Sequence, residues 1–165
     1  MQLQTITPCL WFATEAKEAA DYYCSIFPDS RIAAVSHYGE AGYEVHHMRA
    51  GTVLAVEFTL AGQSFTALNA GPKFKFNEAI SFQVMCETQQ EIDYFWDALR
   101  CEEFANAEQC GWLKDKFGLS WQVIPKRALE MWADPDSAKT DRLMIAMLPM
   151  KKLDLAGLEK AYQQS

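Results

Sequence analysis

No two glycines in this chain lie closer than Gly39 and Gly42, and only eight occur in its 165 residues. The sequence therefore has neither the Gly-x-Gly-x-x-Gly turn that seats a dinucleotide nor a Walker loop, both of which need clustered backbone amides facing an anion. It also lacks a Gly-x-Ser-x-Gly elbow and a His-Glu-x-x-His pair, and no nucleophile and base stand close together. Basic residues are short: the net charge is -7, the pI is about 4.9, and no Lys/Arg cluster offsets the acidity. An acidic surface repels phosphate backbones, so nucleic acid is not an expected partner. No apolar run approaches a membrane span, and none near the first residue reads as a signal peptide, so no membrane partner is expected. The five cysteines (Cys9, Cys24, Cys86, Cys101 and Cys110) are odd in number and form no Cys-x-x-Cys pair. Reduced, mostly buried thiols in a cytoplasmic protein fit that usage.

What is present is a generous core. Half of the residues are hydrophobic and 13% are aromatic, with ten Phe and five Trp. A chain of this length forms one domain, 1–165, that buries roughly 70% of its unfolded surface. The organising stretch is 110–125. Asp115-Lys116-Phe117-Gly118 has turn chemistry, and beyond it Leu119, Trp121 and Val123 alternate with Ser120, Gln122 and Ile124. That period of two predicts a hairpin whose closing strand has an apolar face and a polar one, ending at Pro125.

The same layout occurs earlier. Residues 6–12 predict a strand, Thr14 a helix cap, and Ala16, Ala19, Ala20, Tyr23 and Phe27 the buried stripe of a helix. Strands follow over 31–39, 52–60 and 64–69, with a loop over 40–51 and a turn at Ala61-Gly62-Gln63. The second half repeats the plan: a strand over 79–86, a helix over 88–99, a short strand within 100–109, and the hairpin. The two modules are 5–70 and 78–125. Helices occupy 126–165, one over 136–148 capped near Asp134 and a last one capped by Asp154. Leu143, Met144, Met147 and Leu148 form a Met-rich face that either packs on the sheet or meets another subunit.

Thr7-Pro8-Cys9-Leu10-Trp11-Phe12, Ala67-Leu68-Asn69-Ala70-Gly71-Pro72, Gly111-Trp112-Leu113-Lys114-Asp115-Lys116-Phe117-Gly118 and Ser120-Trp121-Gln122-Val123-Ile124-Pro125 occur in that order. Together they resemble the PhnB-like, 3-demethylubiquinone-9 3-methyltransferase-like family of the vicinal oxygen chelate (glyoxalase/bleomycin-resistance) superfamily. The resemblance implies an α+β, glyoxalase-like fold: two βαβββ modules form a curved mixed sheet around a cleft, completed in a homodimer. In the superfamily's metalloenzymes, residues near the start of each module's first strand and the end of its last strand bind a divalent ion. The matching positions are Thr7 (or Pro8), Asn69, Ala79 (or Ser81) and Gln122. None is a histidine or a carboxylate, so no metal is expected.

Other readings follow from the residues. His37, His46 and Glu57 could meet as a metal cluster or be ordinary loop and surface groups. Glu57 stands opposite the apolar row Leu54, Val56, Phe58 and Leu60, and is either a partly buried general base or a solvated carboxylate. A methyl donor carrying adenosine would need a Gly-rich turn after a parallel strand, which the chain lacks, and no cofactor is expected. The expectation is a small-molecule binding protein, or a metal-independent enzyme, for a flat or apolar ligand. Cys9, Trp11, Asn69, Ser81, Gln83, Trp112 and Gln122 would line the cleft with Glu57 as the catalytic candidate. The alternative is a metal-dependent lyase, isomerase or dioxygenase.

Overall fold

Alternation of apolar side chains sets the first strand, and a computed structural model, which describes residues 5–164, shows two compact units, 1–76 and 77–165. In the first, β1 (Cys9–Phe12), α1 (Ala16–Ile26), β2 (Arg31–His37), a single helical turn α2 (Tyr43–His46), β3 (Val53–Leu60) and β4 (Gln63–Asn69) follow in order. The sheet order is β1-β4-β3-β2, with β1 parallel to β4 and the other pairs antiparallel. Leu10, Phe12, Val56, Phe58, Leu60, Phe65 and Ala67 form one buried face. Helix α1 covers it with Ala16, Ala19, Ala20, Tyr23 and Ile26, whose small residues let Tyr23 stack on Phe58, ring centroids 6.4 Å apart. Ala61 and Gly62 both take positive φ (47° and 82°), the turn that matches the twist of a two-residue hairpin.

The second unit has β5 (Phe82–Cys86), α3 (Gln89–Leu99), a 3-10 helix (Glu102–Ala107), β6 (Trp112–Lys114) and β7 (Ser120–Pro125). It continues into α4 (Lys126–Trp132), α5 (Ser137–Met147) and α6 (Leu155–Gln163). Its order is β5-β7-β6, again with the first and last strands parallel. Ile92, Trp96 and Leu99 of α3 are buried, as are Val84, Cys86, Leu113, Trp121 and Val123 of the sheet. The two modules thus share a plan, but hydrogen bonding divides it into a four-stranded and a three-stranded sheet.

Several local expectations change. The strand predicted within 100–109 is the 3-10 helix, because this segment lacks alternation and folds around Glu108. That carboxylate, 8% exposed, accepts from Arg100 Nε at 3.1 Å and from Lys151 Nζ at 3.2 Å. The first strands begin later than predicted, at Cys9 and Phe82, and the loop over 40–51 contains α2. Thr14 does not cap α1, which has Glu15 at its N-cap and no cap from its own side chains. Asp136, not Asp134, caps α5 by accepting from Ala138 N. Asp154 makes no cap bond. Gln89 takes its place, its Oε1 accepting from Leu155 N at 2.9 Å while its Nε2 donates to the Leu153 carbonyl. The Met-rich face is divided: Leu143 joins Ala128, Met131, Leu153 and Leu158 in a tail core, whereas Met144 and Leu148 are exposed.

Candidate functional site

The pleat of each sheet sends alternate side chains away from its helix, and those outward faces hold most of the predicted site residues. In the first unit one register row runs Cys9, Thr66, Glu57 and Ala34, and the next Trp11, Leu68, Ala55 and Ser36. Glu57 is exposed there, flanked by Ala34 and Thr66. Trp11 is held in place, its Nε1 donating to the Gly71 carbonyl at 2.8 Å and its ring edge-on to Phe74 at 4.9 Å. Cys9 is exposed, and partial burial raises its thiol pKa.

Asn69 lies on the other face. It pairs with Phe12, is 1% exposed, and its side chain is fully committed. Its Oδ1 accepts from Ala16 N at 2.8 Å and its Nδ2 donates to the Val53 carbonyl at 3.0 Å. The residue read as a ligand contact is thus the missing cap of α1, reaching the helix from 53 positions away. Its own carbonyl accepts from Tyr38 Oη at 2.6 Å. Asn69→Ala should cost about 2 to 3 kcal/mol, since it strips a buried helix N–H and a carbonyl of their partners. Asn69→Asp keeps the acceptor for Ala16 N but turns a carboxylate oxygen toward the Val53 carbonyl, so it too should be less stable than wild type; urea midpoints of the two variants measure both losses.

The second unit brings four predicted residues together. Gln83, Gln122 and Trp112 form one row across β5, β7 and β6. Gln83 Nε2 donates to Gln122 Oε1 at 3.3 Å, and Gln122 Nε2 donates to Ser81 Oγ at 2.8 Å. The amides and the hydroxyl therefore form a directed chain on the sheet's outer face. Met85, in the adjoining row, and half-buried Trp112 supply apolar surface, while Ile124 beside Met85 is buried.

The histidines do not build a metal centre with Glu57. His37 pairs with Val53, and His46 closes its own loop, its Nδ1 accepting from Met48 N and its Nε2 facing the Ala41 carbonyl. Among the described residues no three His, Cys, Asp or Glu side chains gather to hold an ion. At the family positions Asn69, Ser81 and Gln122 offer only amides and a hydroxyl already bonded within the protein, Asn69 above all. This set does not fit a divalent transition metal, for which imidazole and carboxylate ligands supply most of the affinity.

Two residues outside the predicted site shape this face: Asp115, expected only as a turn former, and Lys114. The Asp115 carboxyl, fully buried, accepts from Phe117 N, Leu119 N and Trp121 Nε1, fixing the hairpin that carries Trp112 and Gln122. Lys114, its side chain 16% exposed, contacts the Glu78 carboxylate on the outward side. Cys86, by contrast, belongs to the core: burial first, and then the Glu91 carboxylate, push its thiol up to about 12. It should resist iodoacetamide at pH 8 in the folded protein and react once the chain is unfolded, which mass spectrometry of the alkylated peptides would show.

Residues 4–124 match the profile of the 3-demethylubiquinone-9 3-methyltransferase family. Among solved structures, the chain is similar to a PhnB protein from Bacillus cereus, itself named as a candidate 3-demethylubiquinone-9 3-methyltransferase. The two are 36% identical with a TM-score of 0.62, over 74% of this chain and 99% of that one. Protein PA1353 from Pseudomonas aeruginosa shares the fold at 18% identity and a TM-score of 0.54, over 75% of this chain and 98% of that one. No curated protein matches the chain.

Proposed function

This chain belongs to the 3-demethylubiquinone-9 3-methyltransferase family of PhnB-like, glyoxalase-fold proteins, and we propose that it binds a small planar molecule on the outer face of its second sheet. The observation that carries this reading is the Ser81–Gln122–Gln83 chain lying beside Trp112. A flat ring gains contact area against an indole, and the row leaves the Gln83 carbonyl and the second Gln122 N–H to orient a polar edge.

Methyl transfer is not part of the reading. The junctions from β1 into α1 and from β5 into α3, each after a strand with a parallel partner, run through Ala13-Thr14-Glu15 and Glu87-Thr88. Neither contains a glycine, so neither offers the tight turn that brings backbone amides against an adenosine-bearing cofactor. Glu57 sits on the first unit's sheet, and its part as a base is a separate question from binding.

Calorimetric titration of the full chain with neutral bicyclic aromatics and naphthoquinones, read in parallel by Trp fluorescence, tests the proposal. Saturable binding that falls about tenfold in Trp112→Ala and in Gln122→Leu is the expected result. Absence of saturable heat at millimolar ligand, or equal binding by both variants, would overturn it.

A further inference from the structure

Next to the Gln83–Gln122–Trp112 row lies a second line of side chains, made entirely of hydrogen-bond donors. Lys114 pairs with Ser120 across β6 and β7, and Ser81 directly precedes Phe82, the partner of Trp121. Alternation puts Ser81, Ser120 and Lys114 on the same face as Gln122. Ser120 is 1% exposed, yet its hydroxyl has no partner among the described residues, an unfavourable state for a buried polar group. Ser81 oxygen accepts from Gln122 Nε2, which leaves its proton to donate. The Lys114 ammonium, 5.9 Å from the Phe104 ring centroid, meets one anion among the described residues, the carboxylate of Glu78. Glu78 is largely exposed, in the loop before β5, and its contact with Lys114 lowers its pKa.

Two hydroxyl protons and an ammonium in one line match an acceptor with several lone pairs and a negative charge, which describes a carboxylate. The two rows are two residues apart along their strands, about 7 Å, so one aromatic ring spans them. We infer that the site takes a planar aromatic carboxylic acid, its ring against Trp112 and its carboxylate in the Ser81–Ser120–Lys114 line, displacing the side chain of Glu78 from Lys114. This rests on the binding function proposed above. It also explains how a chain of net charge -7 could select an anion: a single sheltered ammonium supplies the attraction, and Glu78 holds its place until the ligand arrives.

Calorimetry with 2-naphthoate and its neutral counterpart 2-naphthamide separates the inference from its foundation. The wild-type chain should bind the acid about tenfold more tightly than the amide. Lys114→Met should erase that preference and Ser120→Ala should reduce it, each weakening the acid more than the amide, and Glu78→Gln should tighten the acid alone. Ser120→Ala deletes only an unpartnered hydroxyl, so its melting temperature should equal or exceed the wild-type value, which guards against a folding artefact. Equal affinity for acid and amide, or weaker acid binding in Glu78→Gln, overturns the inference and leaves the planar-ligand reading standing. Failure of both ligands to bind overturns the two together.

Discussion

Asp115→Ala is expected to destabilise the second unit by about 3 to 5 kcal/mol, the largest effect of any single substitution outside the apolar core. The Asp115 carboxyl group is fully buried at the head of the β6–β7 hairpin. Its Oδ1 accepts from Phe117 N at 2.8 Å and from Leu119 N at 3.1 Å, while Oδ2 accepts from Trp121 Nε1 at 2.8 Å. Alanine removes the acceptor from all three donors, two of them, Leu119 N and Trp121 Nε1, in buried positions. The backbone cannot compensate, because Asp115 N and the Leu119 carbonyl are already joined at 3.0 Å, as are Gly118 N and the Asp115 carbonyl at 2.8 Å. Asparagine is a sharper probe. It preserves one acceptor for the two amides but turns an NH2 group toward the indole N–H, so it should fall between wild type and alanine. Urea denaturation followed by circular dichroism measures the series. A loss below about 1 kcal/mol for the alanine variant would show that these bonds are not what fixes the hairpin.

Gly111→Ala is expected to release the helical tail. Gly111 has φ +85°, and a Cβ there would stand 2.9 Å from the Val123 carbonyl oxygen and 3.1 Å from Leu153 Cδ1. The first of these is backbone of the closing strand and cannot swing aside. The residue before it, Cys110, is also in the left-handed region at φ 53°. Together they turn their amides onto the tail, Cys110 N donating to the Met150 carbonyl at 2.7 Å and Gly111 N to the Lys151 carbonyl at 2.8 Å. Strain plus clash amount to about 2 to 4 kcal/mol, directed at the one place where the tail is hydrogen-bonded to this bend. Limited proteolysis should cut the variant within 126–154 under conditions that leave the wild type whole. Amide exchange at residues 110 and 111 should rise in parallel. Unchanged cleavage and exchange would mean that the tail is held by its own core and by Gln89, not by this bend.

The module plan was legible because period-two runs such as Val56, Phe58 and Leu60 against Ala55, Glu57 and Thr59 leave one consistent way to bury a sheet face. The alternation of 119–124 likewise put Gln122 on the polar side. Other features depended on partners remote in sequence. Asn69 ends a strand in a polar-looking position, and nothing nearby reveals that Ala16 and Val53 need its amide. Gln89 resembles any first-turn helix residue until Leu153 and Leu155 are brought beside it. Asp115 reads as a turn former by composition, which is correct but incomplete: its burial follows from Trp121 folding back six residues later. The segment 100–109 is a 3-10 helix and not the expected strand because its shape follows from the buried Glu108 carboxylate, held by the partly exposed Arg100 and Lys151, rather than from a hydrophobic period.

What the sequence determined alone was therefore the local and periodic part: most of the strands and helices, that a strand and helix followed by a closing hairpin occur twice, and that the chain carries a family's motifs. Each follows from interactions between near neighbours, which a linear string records. The tertiary structure decided which polar side chains are spent on holding the fold and which stand on the face of the proposed site. That division turns on long-range pairing and on burial, because a buried amide or hydroxyl takes whatever partner the packing supplies. It set Asn69 and Asp115 to holding the framework, and kept Ser81, Gln83 and Gln122, with Ser120 and Lys114 beside them, on the sheet face where we propose the ligand sits.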